Sequence, residues 1–225
     1  MAGSIIGHLT VFGAPLPPRF LAEQTMGMPA LRRHWTTADV RALMDESRHW
    51  PRYELIDGEL LVTPAPGIPH QVAVAEFLRF LADYVEREGL GIALTSPADV
   101  ELREGNITQP DVFVVPEGMF PGGEVVPTWP DVTALLLAVE IISPSSIHVD
   151  RVTKRDHYLD VGVPEYWIVD LDARIVERWT PDRSTPLVES TRFEWTSTGA
   201  GSSLTVDVVD LFDRIWGKLK VRRIK

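Results

Sequence analysis

The run Ala134-Leu135-Leu136-Leu137-Ala138-Val139-Glu140-Ile141-Ile142 has one polar side chain, Glu140, among apolar ones. A strand apolar on both sides of its pleat is covered on both faces, so this run predicts the central strand of a sheet with other elements packed above and below it. Glu140 is the exception. A carboxylate in such a strand has to be neutralised, paired with a cation or bound to a metal, because leaving it unpaired is costly.

The rest of the chain supplies the layers that such a strand needs. Thr36 and Thr37 are placed to cap a short helix over 38–46. Asp57-Gly58 between Tyr53-Glu54-Leu55-Ile56 and Glu59-Leu60-Leu61-Val62 predicts a hairpin. From His70 to Glu88, Val74, Phe77, Leu78, Leu81, Tyr84 and Val85 fall at helical spacing, with Gly89 at the end. Strands are expected at about 92–102, 111–115, 134–142 and 165–169. Between the last two, Pro144 to Val161 reads as one helix, with Ile147, Lys154, Tyr158 and Val161 on one face and Val152 and Leu159 opposite, sandwiched by two neighbours. Further strands are expected at 175–179, 187–195 and 204–208, then a helix ending near Trp216. The expectation is an α/β (α+β) fold: a mixed central sheet flanked by helices, with an N-terminal hairpin and extra C-terminal strands. Its 225 residues suit one core. An irregular Gly- and Pro-rich arm is expected over 1–31, a single domain over 32–216 and a basic tail over 217–225.

Composition narrows the chemistry. Without cysteine there are no disulfides, thiolate metal sites or cysteine nucleophiles, so any metal is held by oxygen or imidazole. A formal charge of -10 argues against indiscriminate attraction to nucleic acid, although bound divalent cations invert the sign of a local site. No signal peptide or membrane-spanning run is evident, which predicts a cytoplasmic, non-membrane protein. The 22 basic residues include only four lysines, and Lys154 is the sole one before the last eight positions.

Two carboxylates stand where chemistry is plausible. Glu140 lies in the apolar run, and Asp111 opens a second one, Asp111-Val112-Phe113-Val114-Val115. Together they would suit a hard divalent cation such as Mg²⁺, which favours oxygen ligands. Lys154 is placed to point inward, where an ammonium beside a metal-bound water assists phosphodiester hydrolysis. Each residue also has a structural reading: Asp111 as a turn residue, Glu140 in a core salt bridge, Lys154 paired with Asp150 one helical turn away. Glu54 reads equally as a hairpin surface residue and His70 as a helix cap.

Ordered along the chain, Tyr53-Glu54-Leu55-Ile56-Asp57-Gly58-Glu59-Leu60, Pro64-Ala65-Pro66 with His70, Gln109-Pro110-Asp111, Val139-Glu140-Ile141-Ile142-Ser143-Pro144-Ser145, Asp150 with Lys154 and Tyr158, and Gly162-Val163-Pro164-Glu165-Tyr166-Trp167 resemble the Uma-two family of restriction endonucleases, in the PD-(D/E)XK nuclease superfamily. The resemblance spans roughly 36–212 and implies a restriction-endonuclease-like fold. It makes Pro110-Asp111 the PD element and Glu140 the acidic residue of the second element, whose lysine position is here Ile142. Lys154 matches the helix lysine that substitutes for it.

The resemblance implies a Mg²⁺-dependent DNA endonuclease, with Mn²⁺ as a substitute. Asp111 and Glu140 would hold the metal, Glu54 would support it or its water, and Lys154 would assist. His70, Gln109 and Tyr158 would position phosphate or ligands. A homodimer is expected because cutting both strands usually takes two sites. Ile142 and the acidic surface leave open a catalytically silent module for protein binding or assembly, and a phosphohydrolase of small nucleotides is a third reading.

Overall fold

Thr36 caps the first described helix as predicted, because its hydroxyl and the Asp39 carboxylate satisfy each other's backbone amides at 3.2 and 3.1 Å. The computed structural model describes residues 34–47, 50–119, 127–143 and 146–219, all in one compact unit. The arm expected over 1–31 and residues 220–225 of the expected tail lie outside the described residues.

Helix α1 (Thr37–Glu46) packs Val40 against Leu55 and Ile107. Strands β1 (Arg52–Ile56) and β2 (Glu59–Thr63) form the predicted hairpin, with positive φ at both Asp57 (49°) and Gly58 (79°). The positive φ favours glycine at position 58, and a side chain there would also have to displace the His34 ring. Helix α2 (Ile68–Arg87) starts two residues ahead of expectation and takes Pro69 into its first turn, where a missing N–H leaves no helical bond unmade. It buries Ala73, Phe77, Leu81, Tyr84 and Val85.

The main sheet follows. Its strands, β3 (Gly91–Thr95), β4 (Val112–Pro116), β5 (Leu137–Ile142), β6 (Tyr166–Asp170), β7 (Ile175–Trp179) and β8 (Leu187–Glu189), lie side by side in sequence order. Only β5 and β6 are parallel. A parallel pair needs a crossover, and here it is the segment between β5 and β6. That segment is not the regular helix expected over 144–161. Residues 144–145 lie outside the described residues, Val149–Lys154 is π-helical, and an α-helix, α3, covers only Arg155–Asp160. The widened turns break the helical wheel used to assign its faces. Ile147 and Val152, both expected to pack inward, are each 38% exposed, whereas Lys154 and Tyr158 are buried.

Four boundaries also move. The strand expected over 134–142 begins only at Leu137. The strand expected over 92–102 ends at Thr95, before Pro97, which cannot donate to a ladder. The strand expected over 187–195 divides at Ser190 and Thr191. Its first part, β8, stays in the main sheet, and its second, β9 (Arg192–Trp195), pairs with β10 (Leu204–Asp207). Helix α4 (Val208–Leu219) runs past Trp216 into the region expected to be tail.

Two cores sandwich the sheet. On one face Leu137, Val139 and Ile141 of β5 pack with α2, α4 and the β9–β10 hairpin. On the other, Ala138 and Ile142 pack with Tyr158 of α3 and Tyr166 of β6. Strand alternation therefore sends Glu140 toward the crossover. Among the described residues no helix is long and apolar enough to cross a membrane.

The β1–β2 hairpin is tied to this body by reciprocal Leu55–Ile107 backbone bonds, both 2.8 Å. Asn106 extends the tie: its Oδ1 accepts from the Asp57 amide at 3.0 Å, so its Nδ2 faces His157 Nδ1 at 3.2 Å as donor. The His157 proton therefore sits on Nε2, which is buried without a hydrogen-bond partner. Burial, aided by the positive charge of Arg103, lowers the His157 pKa to about 4. The unfolded chain takes up this proton near 6.5 and the folded chain only near 4, so stability is full above pH 6.5 and falls as pH drops toward 4. Urea denaturation is expected to show a loss of about 2 kcal/mol between pH 7.5 and 5 from this group, and His157→Gln is expected to flatten that part of the profile.

Candidate active site

The stretch Ile107-Thr108-Gln109-Pro110-Asp111 is buried throughout and acts as a spine between the hairpin and the sheet. Ile107 pairs with Leu55 and Thr108 with Val100. The Gln109 amide donates to Glu54 Oε1 at 2.7 Å, fixing a carboxylate that strand alternation turns away from Leu55. Asp111 then reaches β5. Strand β4 pairs with β5 only as far as Val112↔Val139, so the next inward-facing amide, that of Ile141, is taken by Asp111 Oδ2 at 2.9 Å.

Lys154 is the hub of the other side. Its Nζ lies 2.8 Å from Glu54 Oε2, 3.0 Å from Glu140 Oε1 and 3.7 Å from Asp150 Oδ1. One ammonium thus joins β1, β5 and the π-helical crossover. Burial alone would lower the Lys154 pKa, but Glu140, Glu54 and Asp150 outweigh it and hold the value well above 10.5. Glu140 moves the opposite way for a carboxylate: burial, with Asp111, Asp150 and Glu54 nearby, raises it well above 4.5 against the pull of Lys154. Asp150 is also raised, chiefly by burial.

Asp111 has a different environment. Burial pushes it up, yet the hydrogen bond and charge of His70, the Ile141 amide and the charge of Lys154 bring it below 3.8. His70 Nε2 is 2.9 Å from Asp111 Oδ2, and Arg52 Nη1 is 3.4 Å from Oδ1.

These groups line one pocket of about 160 Å³, which holds Glu54, His70, Gln109, Asp111, Glu140, Asp150 and Lys154 together. Of the residues singled out in the sequence, Tyr158 alone stays outside the lining, fully buried beneath it. Gln109 turns its amide nitrogen to Asp99 at 2.7 Å, and its Oε1 is buried without a partner. Arg52 and Trp50, which also line the pocket, are not among the residues the sequence singles out. Strand alternation places Arg52 on the Glu54 side of β1, a signal present in the sequence; Asp150, which the sequence pairs with Lys154 and includes in the family motif, also lines the pocket.

The donor set suits a hard divalent cation. Four carboxylates, Glu54, Asp111, Glu140 and Asp150, line the pocket with one ammonium and one guanidinium, so oxygen donors outnumber the cationic groups. No group of three or more His, Asp or Glu side chains among the described residues is already arranged as a metal cage. Mg²⁺ tolerates that, because it keeps several waters and uses one or two carboxylates.

The model of the Uma2 family, described as "Putative restriction endonuclease", matches residues 39–207. The chain belongs to this family. A crystal structure described as a putative nuclease belonging to DUF820 from Anabaena variabilis ATCC 29413 superposes with a TM-score of 0.60 at 22% identity, covering 73% of this chain and 92% of that one. At that identity it speaks for the fold. No curated protein matches the chain.

In this Uma2 chain, Ile142, expected from the resemblance to stand at the motif's lysine position, lies on the same β5 face as Glu140, the face the crossover covers. Lys154 comes to Glu140 from above instead. Lys154→Met leaves buried carboxylates without their shared cation and is expected to cost about 3–5 kcal/mol at neutral pH. Because the folded pKa of Glu140 is raised, part of that loss should return as pH falls toward 4.5, as proton uptake by the folded state offsets the missing ammonium. Urea titrations of the variant at several pH values check both.

Proposed function

We propose that this Uma2 protein is a metal-dependent endonuclease that hydrolyses DNA phosphodiester bonds. The observation that carries the reading is the convergence of Asp111, Glu140 and Lys154, from three separated segments, on one recessed acidic pocket. A divalent cation bound there, Mg²⁺ or Mn²⁺, supplies Lewis-acid polarisation of a phosphoryl oxygen and a more acidic water.

The chain's own residues do the rest. Asp111, held by His70 and the Ile141 amide, offers an ionised oxygen at a fixed position. Glu140 offers the second oxygen ligand, and Glu54 keeps its carboxylate aimed inward through the Gln109 amide. Lys154 spends two of its three donors on Glu54 and Glu140; the third, with Asp150 only at 3.7 Å, is available for a phosphate oxygen or the attacking water. Charge that builds on the phosphate then meets an ammonium fixed in advance, and little reorganisation is needed. Double-strand cleavage would need a second such site, hence a homodimer or two successive nicks.

Purified protein with Mg²⁺ or Mn²⁺ is expected to nick supercoiled plasmid. Asp111→Asn and Glu140→Gln should each lower the rate by more than about 100-fold, the scale of losing one electrostatic stabiliser. Full activity in either variant would reject the assignment. Failure of calorimetry to detect uptake of Mg²⁺ or Mn²⁺, alongside no cleavage, would favour the silent binding module instead.

A further inference from the structure

Arg52 and Trp50 sit at the mouth of the same pocket and take no part in the chemistry above. The Arg52 guanidinium lies 4.9 Å from the Trp50 ring centroid, and its one carboxylate neighbour among the described residues, Asp111 Oδ1, is at 3.4 Å, long for a charge-assisted bond. Arg178, equally buried, is engaged differently: its Nε lies 2.6 Å from Glu165. Arg52 therefore holds most of its five donors unspent, pre-oriented by stacking, beside a site that handles phosphate.

Trp50 adds a second observation. It is 39% exposed, while the carboxylates below are almost wholly buried. In a duplex each base is paired and stacked inside the helix, so it meets a protein surface only where its nucleotide has left the stack. An exposed indole at the mouth gives the released base a surface to stack on.

We propose that Arg52 and Trp50 form a nucleotide subsite, the guanidinium binding the phosphate at the cut and the indole stacking on an unpaired base beside it. The preferred substrate is then a single strand, a frayed or flapped end, or the locally unwound stretches of supercoiled DNA, rather than a relaxed intact duplex. This rests on the nuclease reading and specifies its substrate class.

The test is fluorescence anisotropy of a labelled single-stranded oligonucleotide and its duplex, with Ca²⁺, over a range of KCl, beside a cleavage assay with Mn²⁺. Wild type should bind the single strand more tightly. Trp50→Ala should weaken single-strand binding about 5- to 100-fold and spare the duplex, with Trp50→Phe restoring most of it. Arg52→Ala should lower the slope of log affinity against log salt by about one, a readout that a purely structural arginine would leave unmoved, and Arg52→Lys should keep the slope. Equal binding of both forms by wild type, an unaltered slope in Arg52→Ala, or no binding at all overturns the subsite. Binding with these signatures but no cleavage would support the subsite and reject the nuclease reading, so the two failures are separable.

Discussion

One buried ammonium, that of Lys154, fixes the relation between the hairpin, the central strand and the crossover. Taking a lysine out of water is unfavourable, and so is burying Glu54, Glu140 or Asp150. Placed together within 2.8 to 3.7 Å, the four groups offset one another's desolvation, and none can leave without stranding the rest. The arrangement depends on backbone that is not ideal. The π-helical turns over Val149–Lys154 bring both Asp150 and Lys154 to the buried side while leaving Ile147 and Val152 outside. Such widened turns are uncommon and are often found at functional sites.

Asp111 and Glu140 belong to the same pocket but not to the same environment. Asp111 is held by the His70 imidazole, the Ile141 amide and the charge of Lys154, which bring its pKa down against burial; Glu140 is raised by burial and three other carboxylates against the pull of Lys154. Two carboxyls driven apart in this way can take different tasks. Asp111 would stay ionised across a wide range, a constant oxygen ligand. Glu140 carries the unmet demand for positive charge, which a proton or a divalent cation can answer.

Much of this was legible in the sequence because the features were local. The apolar run around Glu140 marked β5, Asp57-Gly58 marked the hairpin, and the spacing from Val74 to Val85 marked α2. Lys154 stood out because the chain uses arginine almost everywhere else. The parts that were not legible depend on tertiary context. A wheel drawn at 3.6 residues per turn cannot anticipate a π-helical segment, so the faces of the crossover were misassigned at Ile147 and Val152. The break between β8 and β9 follows from which sheet each half joins, which no local propensity records. Alternation gives the face on which Arg52 lies, but only the tertiary fold shows that this face borders Asp111 and the pocket.

The acidic balance of the chain fits a polyanionic substrate once distance is considered. Surface charges more than a Debye length from the pocket, about 8 Å at physiological salt, are largely screened from a bound phosphate. Nearby, Lys154, Arg52 and His70 are set among carboxylates whose excess negative charge would repel a phosphate if the pocket bound nothing else. A divalent cation reverses that local sign. Cation and substrate would then each strengthen the other's binding by the same factor, as thermodynamic linkage requires. An acidic pocket of this kind discriminates against nucleic acid without its cation, whereas a basic groove would bind it indiscriminately.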